Sequence, residues 1–273
     1  MNTTITASRI SRLFERCAAE ERKAFIAYLT AGDPKPEATV PLVRALERGG
    51  AELIEFGVPF SDPIADGPVI QRASERALHA GTTLSRILDM VREIRAQSEI
   101  PVLLFSYLNP VMHYGFDKLA RDAAKAGVDG VLLTDLSVEE AEEPVRRLRE
   151  HSLDPVFLAA PTSTEKRLEL VGRHSSGFVY LVSRTGVTGE QASLSEQAIP
   201  LIQRMRKHTS LPLAVGFGIS KPEHVAEVAQ FADGVVVGSA IVKTIEANLS
   251  SGNLNEAVEI FTRNLSAPVR GKQ

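Results

Sequence analysis

Short apolar runs rich in β-branched residues recur along the chain, at residues 25–30, 53–58, 102–107, 130–135, 155–160, 178–183, 212–216 and 234–238. Each is followed by a loop and then by a stretch of helical periodicity. Runs that stay apolar at every position, instead of alternating, predict strands covered on both faces, as in a parallel sheet. The helical stretches carry their own signals. Residues 36–47 place Val40, Val43 and Leu46 on one stripe and stop at Gly49-Gly50. Residues 84–95 do the same with Ile87, Leu88, Val91 and Ile94, and 116–126 end at Gly127. Residues 138–150 are highly charged and include Pro144, the weak point of that helix because an interior proline costs about 3 kcal/mol. Stretches 165–174, 198–208, 222–231 and 254–265 complete the series, with a short helical segment at 241–247. An extra helix over 10–21 precedes the first strand and is expected to cap the bottom of the fold.

Eight strand–helix repeats in one chain predict an α/β fold, a single (β/α)8 TIM barrel with an extra N-terminal helix. The domain expectation is one barrel over residues 1–267, with 268–273, which lack periodicity, as a disordered tail. The spacing between runs is widest after the second and after the sixth. The added length falls at residues 59–81 and 184–197, and long loops in a barrel are where function is built.

Composition narrows the function. The chain has 273 residues, a formal net charge of −3 and no run of five or more like charges, which argues against nucleic-acid binding. No apolar stretch is long enough for a membrane helix, and no signal-peptide pattern opens the chain. The one cysteine, Cys17, pairs with nothing in the chain and reads as a packing residue, consistent with a reducing, cytoplasmic setting.

Active sites of such barrels lie at the carboxyl ends of the strands. Glu55 stands out because it interrupts Leu53-Ile54-Glu55-Phe56-Gly57-Val58, inside a strand. A carboxylate among apolar neighbours costs several kcal/mol unless it is paired or protonated. Desolvation raises its pKa toward neutrality, which suits proton transfer. The bland alternative, a buried ion pair, finds no Lys or Arg in any strand to supply it. Asp66 follows in a proline-rich loop, Pro59-Phe60-Ser61-Asp62-Pro63-Ile64-Ala65-Asp66-Gly67-Pro68. Its residue type alone fits a turn as well as a catalytic role.

Glycine pairs cluster late in the chain: Gly186-Val187-Thr188-Gly189 after the sixth run, Gly216-Phe217-Gly218-Ile219-Ser220 after the seventh, and Gly238-Ser239-Ala240 after the eighth, opening a helix. The loops after strands seven and eight plus a helix N-terminus form the usual phosphate site of this fold. Other chemistries lack their residues. No strand carries a Lys for a Schiff base, Lys243 being the single candidate nearby. The six His show no metal-ligand spacing, so no metal is expected, and neither a P-loop nor a GxGxxG fingerprint is present. What remains is cofactor-free acid–base chemistry by carboxylates on a phosphorylated small molecule.

At this point the motifs resemble one family. Glu55 through Pro63 and on to Asp66-Gly67-Pro68 is similar to the signature of the tryptophan synthase alpha subunit. So are Thr30-Ala31-Gly32-Asp33-Pro34, Tyr107-Leu108-Asn109-Pro110, Ser183-Arg184-Thr185-Gly186-Val187-Thr188-Gly189, Gly216-Phe217-Gly218-Ile219-Ser220 and Gly238-Ser239-Ala240-Ile241-Val242. The resemblance covers nearly the whole chain, in order. It implies retro-aldol cleavage of indole-3-glycerol phosphate to indole and glyceraldehyde 3-phosphate. It gives Glu55 the proton shuttle and Asp66 the anion at the indole N–H, with the Asp66 loop and the loop around Thr188 closing over substrate. It implies indole and glycerol contacts at Tyr28, Tyr107, Leu132, Thr134, Leu158, Tyr180 and Thr188. Phosphate contacts are implied at Gly189, Phe217, Gly218, Gly238 and Ser239.

The implied partner is a beta subunit that carries pyridoxal phosphate, in an αββα tetramer with indole passed between subunits. Asp62, Pro63, Asn109 and Pro110 would face it, and this chain itself would carry no cofactor. Two positions depart from the family: Ser137, on the partner-facing side, where Pro is frequent, and Tyr28, where Phe is frequent. The alternatives are a free-standing lyase on the same fold and a non-catalytic barrel.

Overall fold

The structure, a computed structural model, describes residues 7–182, 194–216 and 218–271. In chain order it runs α1 (Arg9–Ala19), β1 (Ala24–Thr30), α2 (Pro36–Arg48), β2 (Leu53–Gly57), α3 (Pro68–His79), α4 (Leu84–Arg95), β3 (Val102–Ser106), α5 (Leu108–Tyr114), α6 (Phe116–Ala126), β4 (Gly130–Leu133) and α7 (Glu142–Glu150). It continues with β5 (Asp154–Pro155), β6 (Leu158–Ala159), α8 (Glu165–His174), β7 (Val179–Val182), α9 (Leu194–Met205), β8 (Leu213–Gly216), α10 (Pro222–Val228), β9 (Gly234–Val237), α11 (Ser239–Ala247) and α12 (Leu254–Ser266).

All strand pairs are parallel, in the order β5-β4-β3-β2-β1-β9-β8-β7-β6. The two ends of that order, β5 and β6, are neighbours in one short run of chain. Its start pairs with β4 and its end with β7. The sheet therefore closes on itself as the expected TIM barrel, with one strand split into two short ladders.

Residues two apart on a strand share a face. Ile26, Leu53, Leu103, Leu132, Ala214 and Val236 form the inner cluster, while their neighbours Phe25, Ile54, Leu104, Val131, Val215 and Val237 join the helix-facing core. Helix α1 plugs the lower mouth. Ile10, Leu13, Phe14 and Cys17 belong to the inner cluster, and the Phe14 ring lies 5.5 Å from that of Phe178. Ser8 caps this helix by accepting from the Ser11 N–H at 3.0 Å, a contact worth about 1 kcal/mol. Burial pushes the Cys17 thiol up to about 11, so it stays a packing residue.

Several boundaries differ from the sequence expectation. The long connection after β2 is mostly helix, because Pro68 sits at the first position of α3 and pre-sets its φ. Helix α5 was also unforeseen; it is seven residues long and buries one residue fully, so it carries little periodicity. Pro144 does no damage: a 3-10 turn at Val138–Glu140 comes first, α7 starts at Glu142, and Pro144 falls in its first turn, where the N–H lacks an intrahelical partner anyway. The expected tail also shortens. Ala267–Val269 form a 3-10 turn, Val269 is buried, and Arg270 donates to the Gly49 carbonyl. Of the long loop expected at 184–197, residues up to 193 lie outside the described residues.

Truncating the α1 plug tests this packing. Phe14→Ala should lower the unfolding free energy by about 3–5 kcal/mol in urea titration. A loss under about 1 kcal/mol would show that α1 merely rests on the barrel.

Candidate active site

The site follows from strand parity. Tyr28 stands two residues after the inward Ile26, Glu55 two after Leu53, and Tyr180 two after Phe178. In the parallel register Tyr28 is the direct partner of Glu55. All three side chains therefore point into the upper half of the barrel, where Tyr28, Glu55 and Tyr180 are almost fully buried. Their rings need space on the next strand. A Cβ on Gly57 would come within 2.2 Å of the Tyr28 hydroxyl, and one on Gly216 within 2.1 Å of the Tyr180 hydroxyl, so both strand ends require glycine. Phe105 meets Tyr28 edge-on at 5.6 Å, and the Tyr28 hydroxyl lies 3.3 Å from Thr30 Oγ1.

Glu55 is 1% exposed, and among the described residues its Oε1 has no hydrogen-bond partner. No described cation forms an ion pair with it. Loss of water is the cause of its shift: burial pushes the carboxyl up to about 8, so it is protonated at neutral pH. Asp66 is only partly buried. Burial pushes it up to about 6, opposed by the hydrogen bond that its Oδ2 accepts from the Tyr107 hydroxyl at 3.2 Å. Tyr107 is tied to the same loop, because its oxygen accepts from the Ala65 N–H at 3.0 Å. Asp66 takes part in the turn and also points its side chain at a neighbour. Its backbone N–H closes a turn onto the Pro63 carbonyl at 3.0 Å, while its carboxylate turns away from the loop to Tyr107.

A cavity of about 660 Å³ opens above this layer. Its walls include Tyr28, Glu55, Asp66, Tyr180, Gly218, Gly238 and Ser239, so seven of the expected residues converge there. Ser239 is the first residue of α11, at the end where backbone N–H groups lack intrahelical partners and attract anions. Tyr107 acts from behind Asp66. Leu132 is fully buried in the barrel interior, and the half-buried Leu158 packs against the same inner cluster and pairs with Tyr180 in the parallel register. Thr134 follows β4 and bonds to the Ser106 carbonyl through its N–H at 2.9 Å. Thr188, Gly189 and Phe217 lie outside the described residues.

Sequence reading missed the cavity's apolar wall: Val69 and Ile70 from α3, Phe105, Ile219 and Val236. Only the Pro68 helix signal could have placed the first two. Lys243 also lines the cavity, as an exposed side chain on α11. Among the described residues no group of three His, Cys, Asp or Glu side chains could hold a metal ion, and no helix is long and apolar enough to cross a membrane.

A closed (β/α)8 barrel with a desolvated carboxyl group and a second, hydrogen-bonded carboxylate in a cavity at its C-terminal mouth has the build of a barrel enzyme. Comparison with known proteins narrows the class. The family model described as "Tryptophan synthase alpha chain" matches residues 14–269. A tryptophan synthase alpha chain of Solibacter usitatus is 65% identical over 258 residues, covering 94% of this chain and 97% of that one. One from Geotalea uraniireducens is 50% identical over 263 residues, covering 96% and 98%. The crystal structure of the alpha subunit from Legionella pneumophila superposes with a TM-score of 0.88 at 38% identity, covering 97% of this chain and 99% of that one. The chain belongs to the tryptophan synthase alpha chain family. It is a lyase, and its reaction is the alpha-subunit cleavage of indole-3-glycerol phosphate. Membership implies a beta-subunit partner.

The Glu55 burial has a cost that can be measured. An unfolded Glu loses its proton near 4.5 and the folded one near 8, so between these values the fold holds a proton that the unfolded chain has released. Stability from this group therefore falls as pH rises through that window, by up to about 1.4 kcal/mol per pH unit, and levels off above it. Glu55→Gln should abolish indole release while keeping the fold. Its stability relative to the parent should climb between pH 4.5 and 8 in denaturant titrations. A parallel pH dependence of the two proteins would show that Glu55 is not desolvated.

Proposed function

We propose that Glu55 and Asp66 are the catalytic pair, and that one cavity holds the whole substrate with its indole over the inner tyrosines and its phosphate at the start of α11. The observation that carries this reading is the contrast between two carboxyl groups in one cavity. One is pushed to about 8 and is protonated at pH 7; the other, at about 6, is ionised.

The chemistry follows from that difference. Glu55 donates its proton to indole C3, which makes that carbon a leaving group and places positive charge on the ring nitrogen. Asp66 accepts a hydrogen bond from the ring N–H and stabilises the charge as it develops. The Glu55 carboxylate then takes the proton of the glycerol hydroxyl as the carbon–carbon bond breaks. The bonding electrons return to the ring, indole and glyceraldehyde 3-phosphate form, and Glu55 is protonated again. Tyr107 orients Asp66, and Tyr28 and Tyr180 supply flat apolar surface for the ring. Gly218, Gly238 and Ser239 receive the phosphate with help from the α11 dipole. Thr188, Gly189 and Phe217 join these contacts on the strength of the family resemblance. Leu132, Leu158 and Thr134 complete the proposed set.

The proposed partner surface is formed by the segments bearing Asp62, Pro63, Asn109 and Pro110. In support, Ile64 is 82% and Met112 60% exposed on these same segments, large apolar side chains that a docking subunit would cover. We place the chain in an αββα assembly in the cytoplasm, with pyridoxal phosphate confined to the beta subunit and indole delivered to it.

Three measurements test the reading. The pH profile of kcat/KM should be bell-shaped, falling below about pH 6 as Asp66 gains a proton and above about pH 8 as Glu55 loses one. Asp66→Asn should lower the rate on the order of 10²- to 10⁴-fold and remove the acid limb; a wild-type rate would return Asp66 to the status of a turn residue. Ile64→Asp should weaken beta-subunit binding roughly ten-fold or more in a titration read as stimulated indole production. Full activity with no stimulation by any beta subunit would favour a free-standing lyase.

A further inference from the structure

Helix α3 begins two residues after Asp66 and carries the wall residues Val69 and Ile70. Its first turn is tied to the Asp66 main chain, because Gln71 Nε2 donates to the Asp66 carbonyl at 2.8 Å. Wherever α3 sits, Asp66 follows. Helix α3 packs against β1 and α11 through small side chains. Its fully buried residues are Ala73, Ser74 and Ala77, all small, whereas α4 buries Leu84, Ile87, Leu88, Met90, Val91 and Ile94. Small side chains form shallow ridges, so this face orients α3 less firmly than the large side chains orient α4.

Arg76 adds directional contacts to this packing. Its Nε and Nη2 grip both oxygens of Asp33, at 2.7 and 3.0 Å, and its Nη1 reaches Glu246 Oε1 at 2.9 Å. Asp33 is fully buried in the loop after β1, and Glu246 lies on α11, the helix whose first residue, Ser239, lines the cavity. A two-pronged guanidinium–carboxylate contact fixes orientation as well as distance. Arg72 adds a second pair of bonds to Glu246, at 2.7 and 2.8 Å.

We propose that Arg76 is a positioning residue for the reaction: by clamping α3 to the β1 loop and to α11, it holds Asp66 in place relative to the phosphate end of the cavity. This rests on the assignment of Asp66 above. The residue touches no substrate; it acts through the helix. A displacement of about 1 Å at a reacting group can cost up to 100-fold in rate, so the effect belongs in kcat.

The test is a double-mutant cycle on the full chain assayed with its beta subunit. Arg76→Gln should lower kcat for indole-3-glycerol phosphate cleavage on the order of ten-fold and move KM less than about two-fold. Added to Asp66→Asn, the same change should cost less than about two-fold, because there is no carboxylate left to misplace. An undiminished Arg76→Gln factor in an already impaired Asp66→Asn background would overturn this inference alone. A wild-type rate for Asp66→Asn by itself would overturn the Asp66 assignment and the inference with it. Should Arg76→Gln fail to fold, Glu246→Gln keeps the Asp33 grip intact. It should give a smaller kcat loss that also vanishes with Asp66→Asn; an equal loss in both backgrounds counts against the clamp.

Discussion

The site depends on the exclusion of water from one carboxyl group. A closed parallel barrel leaves a narrow interior in which side chains two residues apart stack in layers. Ile26, Leu53 and Phe178 build one layer, sealed from below by α1, and Tyr28, Glu55 and Tyr180 build the next. With apolar matter beneath and aromatic rings beside it, Glu55 keeps its proton to about pH 8. The same packing that stabilises the barrel thus sets the protonation of Glu55. The desolvation penalty is a local loss of stability that the rest of the core offsets, as is common where a group is tuned for proton transfer.

A second carboxylate with a lower pKa needs a different environment, and the fold provides it by placing Asp66 on a loop instead of a strand. Asp66 is half-buried, and Tyr107 donates to it. A hydrogen bond to the charged form partly reverses the effect of burial, which keeps Asp66 ionised while Glu55 is neutral. The loop needs outside support, since Pro59, Pro63 and Pro68 stiffen it without fixing its position on the barrel. Tyr107 holds one side, and the Arg76 contacts to Asp33 and Glu246 hold the helix that follows. Those contacts also reach α11, so the two ends of the cavity share one charged framework.

The sequence by itself determined the strand–helix alternation, because apolar runs between helical stripes admit few folds. It also determined the oddity of Glu55, because a carboxylate inside such a run is anomalous in any parallel sheet. It marked the glycine loops as phosphate-type features by their place in the order of strands, and the family motif supplied the substrate. Only the tertiary structure decided which face of each strand looks inward. Runs that are apolar at every position carry no alternation to read, so the neighbourhood of Tyr28, Glu55 and Tyr180 emerges from register. Tertiary structure also showed that the Asp66 backbone makes the turn while its carboxylate is left to reach Tyr107. Finally, it revealed α3 and its clamp. Arg76, Asp33 and Glu246 are far apart in the chain, and their charges are ordinary surface residues until closure of the barrel brings them into one contact.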